Sequence, residues 1–460
     1  MACQTVRQTT VRLVKGRRSS RPWSTIAGLI AVLALVSLTG FALTVLAPDA
    51  RAASGHLAWI RQVSGTTGAE FRAVVAAPAG GVFVAGTQYN ATGDMLAGRY
   101  ATGGRRRWLR HLDFSLHLND FGDAAASDRT GDLVVAGEVD YMSTTQSEAI
   151  VKYGPGGKRL WTRHFNDALA GQLTEVAIDG RGNVYVATRT ASSDIALLKY
   201  SSSGVRRWLR TYAGPGGGDD GPADVALDRA GNVYVAGWTY SPTSHYDSIL
   251  LKYDPAGHRR WLRIWDGSLH GDDQAYGLTV TPVGAAYLAG FTTTASGADA
   301  LILKYGDRGT LAWSRTLTSP GVADDRFSDI ALLSGGDVVA TGTSADADVL
   351  TARYSTSGRL GWHRTYNGPD NLTDRGSLVA IGARNAVYVA GQSDGTSSGT
   401  DVLTLKYGPK GGLKWAARHT SPGAATDLAF GLLATPTGVY VAGYDASGMT
   451  DVATLLKYRP

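Results

Sequence analysis

Cysteine is almost absent from this chain of 460 residues: Cys3 is the only one, and it lies near the N-terminus. Residues 53–460 therefore contain no disulfide, no thiolate nucleophile and no cysteine-ligated metal or iron–sulfur site. The nine histidines are scattered, with no His-Glu-x-x-His pattern or other paired spacing typical of zinc. These absences exclude several catalytic chemistries.

Net charge is also absent from most of the chain. Residues 1–52 hold seven basic residues and one acid, whereas residues 53–460 carry 38 basic and 38 acidic residues. The formal charge of +6 thus comes from the N-terminal segment. A neutral body gives no general electrostatic reason to expect a nucleic-acid or acidic-membrane partner, although a local basic patch is compatible with it.

The first 52 residues have the pattern of an export signal. Six basic residues and no acid occupy positions 1–25, an uncharged run extends from Ile26 to Ala47, and Ala50-Arg51-Ala52 offers a small-x-small cleavage site. The run of 22 residues is also long enough to span a bilayer, so an uncleaved anchor at residues 26–47 is the alternative. Both alternatives predict that residues 53–460 are exported, as a secreted or cell-surface domain.

A repeat dominates the sequence after residue 53. Tryptophan recurs eight times, always with a glycine four residues earlier, at Trp59, Trp108, Trp161, Trp208, Trp261, Trp313, Trp362 and Trp415. The units average 51 residues, and each contains four short apolar or β-branched runs separated by turn residues. Four strands per repeat of this length predict an all-β fold, an eight-bladed β-propeller of four-stranded blades.

The order of the runs predicts how such a ring closes. We label the strands of a unit A to D, with the run Asp224-Val-Ala-Leu-Asp228 as an innermost strand A. The chain then begins on a D strand at Trp59 and ends on a C strand at Tyr458. We expect the N-terminal D strand to join the three C-terminal strands, which removes an open sheet edge. Residues 53–460 are thus predicted to form a single propeller domain.

The cleanest unit resembles a known family. Its Asp224-Val-Ala-Leu-Asp228 run, the segment Gly231-Asn-Val-Tyr-Val-Ala-Gly237 and the Asp247 to Lys252 run resemble the bacterial SBBP β-propeller repeat. The recurring Gly-x-x-x-Trp is similar to the tryptophan-docking motif of quinoprotein-type propellers. Both resemblances imply a propeller, and neither assigns an activity.

The two ends of the predicted propeller differ in how constant they are. The spacing from the tyrosine of strand C to the tryptophan of strand D is always eight residues, so the C–D turn is fixed. The gap between strand B and the acid before strand C varies from five to ten residues, and the D–A segments vary too. Variable loops at one end of a rigid scaffold are where binding usually occurs. We therefore predict a binding surface on the face formed by the B–C and D–A loops, here called the loop face, with the adjoining mouth of the channel.

An acid precedes strand C in every unit, at Asp94, Glu148, Asp194, Asp247, Asp299, Asp348, Asp401 and Asp451. A ring of carboxylates could attract cations, but short acidic side chains also satisfy backbone donors in turns, and we favour that structural role.

Five aspartates at one aligned position just before strand A are the better metal candidates: Asp120, Asp220, Asp273, Asp325 and Asp374. Ca²⁺ is the cation considered, because hard cations take several oxygen ligands and strand A borders the channel. No interleaved calcium loop is present, and turn formation is the interpretation we favour for these five as well.

The remaining motifs favour structural explanations. The eight tryptophans are predicted to dock neighbouring blades rather than to bind a ligand. The string Gly391-Gln-Ser393-Asp-Gly395 matches the Gly-x-Ser-x-Gly pattern of serine hydrolases, but that elbow needs a strand leading into a helix, and a strand is predicted to follow.

The sequence favours a noncatalytic extracellular binding or scaffold module that recognises a protein, a glycan or a cell-envelope component. The alternative is an extracellular propeller enzyme, either a quinone-dependent oxidoreductase or a hydrolase or lyase acting on polymers. The quinoprotein resemblance implies an adjacent cysteine pair, which residues 53–460 lack. A third possibility is packing in a stalk or surface layer.

Overall fold

A computed structural model describes residues 53–460 except 91, 115–118, 140–146, 168–173, 320–322, 424 and 448–449. The predicted export or anchor segment, residues 1–52 with Cys3, lies outside the described residues. In the described part of the chain, no helix has the length and hydropathy needed to span a bilayer. The single helical element there is the 3₁₀ turn Ala383–Asn385, and the other regular elements are β-strands.

The repeats fold into four-stranded antiparallel sheets with the strand order A, B, C, D. In unit 1, strands A to D are Gly68–Ala76, Val82–Tyr89, Gly93–Tyr100 and Arg106–Leu112, and in unit 2 they are Ala124–Ser127, Leu133–Val139, Ser147–Tyr153 and Arg159–Phe165. In unit 3 they are Glu175–Ile178, Val184–Arg189, Ile195–Tyr200 and Arg206–Tyr212, and in unit 4 they are Gly221–Leu227, Val233–Ser241, His245–Tyr253 and Arg259–Trp265.

In unit 5, strands A to D are Asp273–Val280, Ala286–Thr294, Gly297–Tyr305 and Leu311–Leu317, and in unit 6 they are Arg326–Leu332, Val338–Thr343, Val349–Tyr354 and Leu360–Tyr366. In unit 7 they are Asp374–Ile381, Val387–Gly395, Gly399–Tyr407 and Leu413–His419. Unit 8 has strands A to C at Leu428–Thr435, Gly438–Ser447 and Thr450–Tyr458, and its outer strand, Leu57–Ser64, comes from the N-terminal end. Three two-residue strands flank these sheets, at Ala53–Ser54, Ala323–Asp324 and Ala425–Thr426.

The hydrophobic cores lie between neighbouring sheets. Strands B and C are buried on both faces, so their sequences are nearly continuous in apolar residues, as in Val184–Arg189 and Ile195–Tyr200. The core between units 3 and 4 packs Tyr185 and Leu197 against Val235. Because both faces of each sheet are covered in this way, a unit depends on its neighbours for burial of its apolar residues.

The N-terminal end of the described chain lies beside its C-terminal end. Strand Leu57–Ser64 pairs antiparallel with Thr450–Tyr458, placing Trp59 opposite Lys457. Gly68 of unit 1 also pairs with Asp451 of unit 8, so the strands of these two units form one hydrogen-bonded sheet. Leu57–Ser64 therefore occupies the outer position of unit 8 that the sequence assigns to a D strand.

The A strands of consecutive units contact one another, and the A strands of units 1 and 8 are also in contact. Strand A carries a register shift in six units, for example between Pro222 and Asp224 and between Phe327 and Asp329. The pattern is that of a β-bulge, in which one extra residue re-aims the side chains around it.

Candidate functional site

The fixed turns of the molecule are held by tryptophan–glycine contacts between neighbouring units. Trp208 Nε1 donates to the carbonyl of Pro255 at 3.3 Å, and Arg210 Nε donates to the carbonyl of Gly257 at 2.6 Å. Gly257 has φ +86°, and a Cβ added to it would lie 2.8 Å from the Trp208 ring. The glycine is thus required both by the turn and by close approach of the indole ring.

The same contact joins most of the tryptophans to the next unit. The Nε1 donors are paired with carbonyls as Trp59–Thr102, Trp108–Pro155, Trp161–Ser202, Trp208–Pro255, Trp261–Asp307, Trp313–Thr356 and Trp362–Pro409. In unit 7 the ring of Trp415 faces Gly55, and Ala417 stands where the other units have arginine. The C–D turns of these units are therefore engaged in contacts within the molecule.

The five metal candidates before strand A are buried acceptors of hydrogen bonds. Asp220 is 0% exposed, and its Oδ1 accepts from Thr239 Oγ1 at 2.6 Å and from the N–H of Tyr240 at 3.0 Å. Its Oδ2 accepts from the N–H of Gly214. One carboxylate thus ties the incoming D–A loop to the end of strand B.

The backbone N–H six residues earlier donates to each of the five carboxylates: Phe114 to Asp120, Gly214 to Asp220, Gly267 to Asp273, Ser319 to Asp325 and Gly368 to Asp374. The structure does not bring the five predicted residues together, since each serves the loop of a different unit.

Asp427 is a sixth member that the sequence analysis missed. It is 1% exposed and accepts from both Ser421 and the N–H of Ala446. The signal was present, because each of the six aspartates lies 12 residues after the tryptophan of the preceding D strand.

Most of the eight acids expected before strand C lie inside that strand, and only Asp194 and Asp348 precede it. Asp247 Oδ2 accepts from Ser244 Oγ at 2.6 Å, and Asp401 Oδ2 accepts from Ser398 Oγ at 2.8 Å. These two carboxylates therefore fasten the turn that precedes them.

Ser393 of the Gly-x-Ser-x-Gly string is 0% exposed. It lies in strand Val387–Gly395, opposite Asp374, and strand Gly399–Tyr407 follows. It occupies the place that Thr239 has in unit 4, beside the buried aspartate. A buried side chain within a sheet lacks the exposed setting of a hydrolase nucleophile.

On the loop face, the lengths of strands B and C differ between units, and the sequence did not indicate this. Part of the predicted variation between strands B and C becomes strand rather than loop. Strand B ends at Arg189 in unit 3 but continues to Ser241 in unit 4, where His245 already begins strand C. The hairpin tips of unit 4, near Pro242 and Thr243, are exposed.

A cavity of about 660 Å³ opens among the A strands, lined by Arg72, Asp123, Glu175, Leu378 and Phe430 among others. Arg72 binds Asp123 at 3.3 Å, and its guanidinium lies 5.6 Å from the centre of the Phe430 ring. The lining thus combines a paired cation, carboxylates and apolar surface. The sequence predicts a channel mouth but does not indicate these lining residues.

Three buried acids of the A strands, Glu175, Asp224 and Asp329, repel one another electrostatically. Burial and repulsion by Asp224 raise the pKa of Glu175 well above its usual range. Burial raises the pKa of Asp224 to about 7, although its Oδ2 accepts from the N–H of Leu278 in the next unit at 2.9 Å. Asp329 accepts in the same way from Val379 at 2.7 Å, and burial raises its pKa to about 6.

One comparison with known proteins supports a propeller repeat. A family model described as the SBBP beta-propeller repeat matches residues 210–242, which include strands A and B of unit 4. No curated protein matches the chain.

Two solved structures are distantly similar. A putative 6-phosphogluconolactonase from Bacteroides uniformis is 15% identical, with 71% of this chain and 91% of that chain covered and a TM-score of 0.44. A structure described as the eukaryotic initiation factor is 11% identical, with 61% of this chain and 64% of that chain covered and a TM-score of 0.38. At these TM-scores neither likeness bears on fold or function.

Proposed function

We propose that this chain, whose residues 210–242 match the SBBP beta-propeller repeat, is an exported, noncatalytic binding or scaffold module. Its loop face is presented to a protein, a glycan or a cell-envelope component. Export is proposed from the basic and apolar pattern of residues 1–52 and from the small-x-small site that follows.

We further propose that residues 53–460 form a closed ring of eight blades. The antiparallel pairing of Leu57–Ser64 with Thr450–Tyr458 supports this. The apposition of Trp415 and Gly55 does so too, because it repeats the contact made between the other units. A core that packs Phe71 of unit 1 against Tyr440 of unit 8 adds a third line of support. Closure of this kind covers the edge of Thr450–Tyr458, which would otherwise be free to pair with another chain.

The difference between the two faces is the observation that carries the proposed binding role. Turn carbonyls on one face accept the tryptophan and arginine donors of the neighbouring unit, as at Pro255 and Gly257. On the loop face, buried aspartates fix only the base of the loop in six units, while hairpin tips such as Thr243 and Thr396 remain exposed. A rigid base with differing tips is suited to recognition.

The buried position of Ser393 gives the hydrolase alternative no support from geometry. We therefore propose that the protein binds its partner without catalysis. The tips of the loops and the cavity beside them would supply the specificity.

The test compares the two faces directly. Thr243→Arg and Thr396→Arg place a long cation on exposed hairpin tips of the loop face, and Ala230→Arg places the same group on an exposed turn of the opposite face. Binding of the purified variants to a cell-envelope fraction and to a glycan array is measured. We expect the loop-face variants to lose binding and Ala230→Arg to retain it. Equal binding by all three would refute the assignment of the loop face.

A further inference from the structure

Three carboxylates converge on the loop face where unit 4 meets unit 5. Asp247 lies in strand C of unit 4, Asp266 directly follows strand D of that unit, and Asp273 begins strand A of unit 5. Each offers one oxygen, and these oxygens all lie within 4.8 Å of one another. Two ligands at about 2.4 Å from one Ca²⁺ ion lie at most about 4.8 Å apart, so the spacing fits a shared cation.

An unpaired oxygen within this group points to a missing partner. Asp247 is 3% exposed, and its Oδ2 accepts from Ser244 Oγ. Its Oδ1 is buried and has no hydrogen-bond donor in the described structure. A buried carboxylate oxygen without a partner is costly unless a cation or donor compensates it.

The neighbouring charges make this cost larger. Burial raises the pKa of Asp247 to about 6, and repulsion by Asp266 and Asp273 contributes to the rise. His270 Nδ1 lies 2.7 Å from Asp266 and is exposed. It pairs directly with that outer carboxylate, and its charge offsets only part of the rise in the pKa of Asp247. In the described part of the chain, Asp247 and Asp273 accept hydrogen bonds only from hydroxyl and backbone N–H groups and form no ion pair with a lysine or arginine.

Unit 7 shows how the same position is compensated by a side chain. Asp401, the counterpart of Asp247, also has an unpaired buried Oδ1. Its Oδ2 binds the guanidinium of Arg418, which lies three residues after Trp415. Three residues after Trp261, unit 4 has Ile264 instead. The unpaired oxygen therefore belongs to the position, since Glu148 and Asp299 have one too. The arginine is particular to unit 7, whereas the group of three carboxylates is found in unit 4 among the described residues.

We propose that Asp247, Asp266 and Asp273 bind a divalent cation of the Ca²⁺ class on the loop face. All three ligands are oxygens, which suits a hard cation and not zinc. Asp273 is already anchored by the N–H of Thr293 at 3.1 Å and by the hydroxyl of Thr292, so it offers a preorganised ligand. Asp266 is exposed and leaves room for water to complete the coordination shell. The ion ties the loop after Asp266 to the hairpin that carries Asp247.

This site differs from the one considered from the sequence. That prediction joined Asp273 to its four counterparts in other units, whereas the geometry joins it to two neighbours of other types. The cation site does not depend on the proposed binding role, because it can be tested without any macromolecular ligand.

The test uses Tb³⁺ as a luminescent probe on the full chain, with tryptophan excitation, because Trp265 is adjacent to Asp266 in sequence. We expect sensitised Tb³⁺ emission that CaCl₂ displaces, and a rise in the melting midpoint with CaCl₂ up to about 10 mM. Asp266→Asn removes one ligand charge at an exposed position, so the fold is retained. This variant should bind Tb³⁺ and Ca²⁺ at least about tenfold more weakly.

Asp272→Asn is the matched control, since it removes the same charge from an exposed residue of the same loop outside the group. It should bind Tb³⁺ within about twofold of the parent protein, because it removes no ligand. Equal weakening in the two variants would show only diffuse attraction to an acidic surface and would overturn the proposal. The absence of both emission and a CaCl₂-dependent shift in the parent protein would also overturn it.

Discussion

Tryptophan docking makes a quantitative prediction at two glycines of unit 4. Gly231 and Gly257 have nearly the same conformation, with φ of +83° and +86°. A Cβ on Gly231 would meet nothing closer than 3.6 Å, whereas on Gly257 it would lie 2.8 Å from Trp208. Gly231→Ala therefore tests the backbone alone, and Gly257→Ala tests the backbone and the docking contact together.

The expected magnitudes follow from these distances. Alanine at positive φ costs about 1–2 kcal/mol, and this applies to both variants. Overpacking against a rigid indole adds about 1–3 kcal/mol at Gly257 only. We expect Gly257→Ala to reduce the free energy of unfolding by about 2–5 kcal/mol and Gly231→Ala by about 1–2 kcal/mol.

The assay is urea unfolding of both variants, followed by the same measurement in a Trp208→Phe background. If the additional cost arises from the indole ring, the smaller ring should bring the effect of Gly257→Ala close to that of Gly231→Ala. Equal costs for the two glycine variants in the parent background would refute the docking argument.

Three further predictions concern the centre, the loops and the ends of the chain. Stability should fall as pH rises from about 4 to above 7, because the pKa of Asp224 is raised from 3.8 to about 7 in the folded protein. Asp224→Asn should flatten this dependence in urea unfolding measured between pH 4 and 8, and an unchanged slope would contradict it. Asp325→Ala leaves the N–H groups of Ser319 and Ala345 without their acceptor and should lower the free energy of unfolding by about 2–4 kcal/mol. Asp324→Ala, at the exposed neighbouring residue, should lower it by less than about 0.5 kcal/mol. Similar urea midpoints for the two variants would argue against the loop-fastening role. Removing residues 1–64 uncovers the edge of Thr450–Tyr458 and should cause aggregation on size-exclusion chromatography, whereas removing 1–52 should not. A monomeric 65–460 fragment with an unchanged melting midpoint would contradict that expectation.

The sequence by itself was enough for the features that each unit repeats locally. The four runs of every unit, the Gly-x-x-x-Trp spacing and the strand identity of Leu57–Ser64 follow from periodicity and turn residues over about 50 positions. The prediction that a strand and not a helix follows Ser393 rests on the same local information, although Ser393 itself lies inside strand Val387–Gly395. Local patterns are reliable here because each strand has to fit the same layered position in every unit.

Tertiary structure alone decided which side chains meet. Asp220 accepts hydrogen bonds from Thr239 and Tyr240, which are distant in sequence. They come within reach of Asp220 only when strands A and B pair. Asp224 meets Leu278 of another unit across the bulged A strands. Periodicity aligns equivalent residues of different units, so it grouped Asp273 with its counterparts. Packing instead brings together non-equivalent residues such as Asp247, Asp266 and Asp273, because proximity in a folded sheet is set by strand pairing and loop path rather than by position in the repeat.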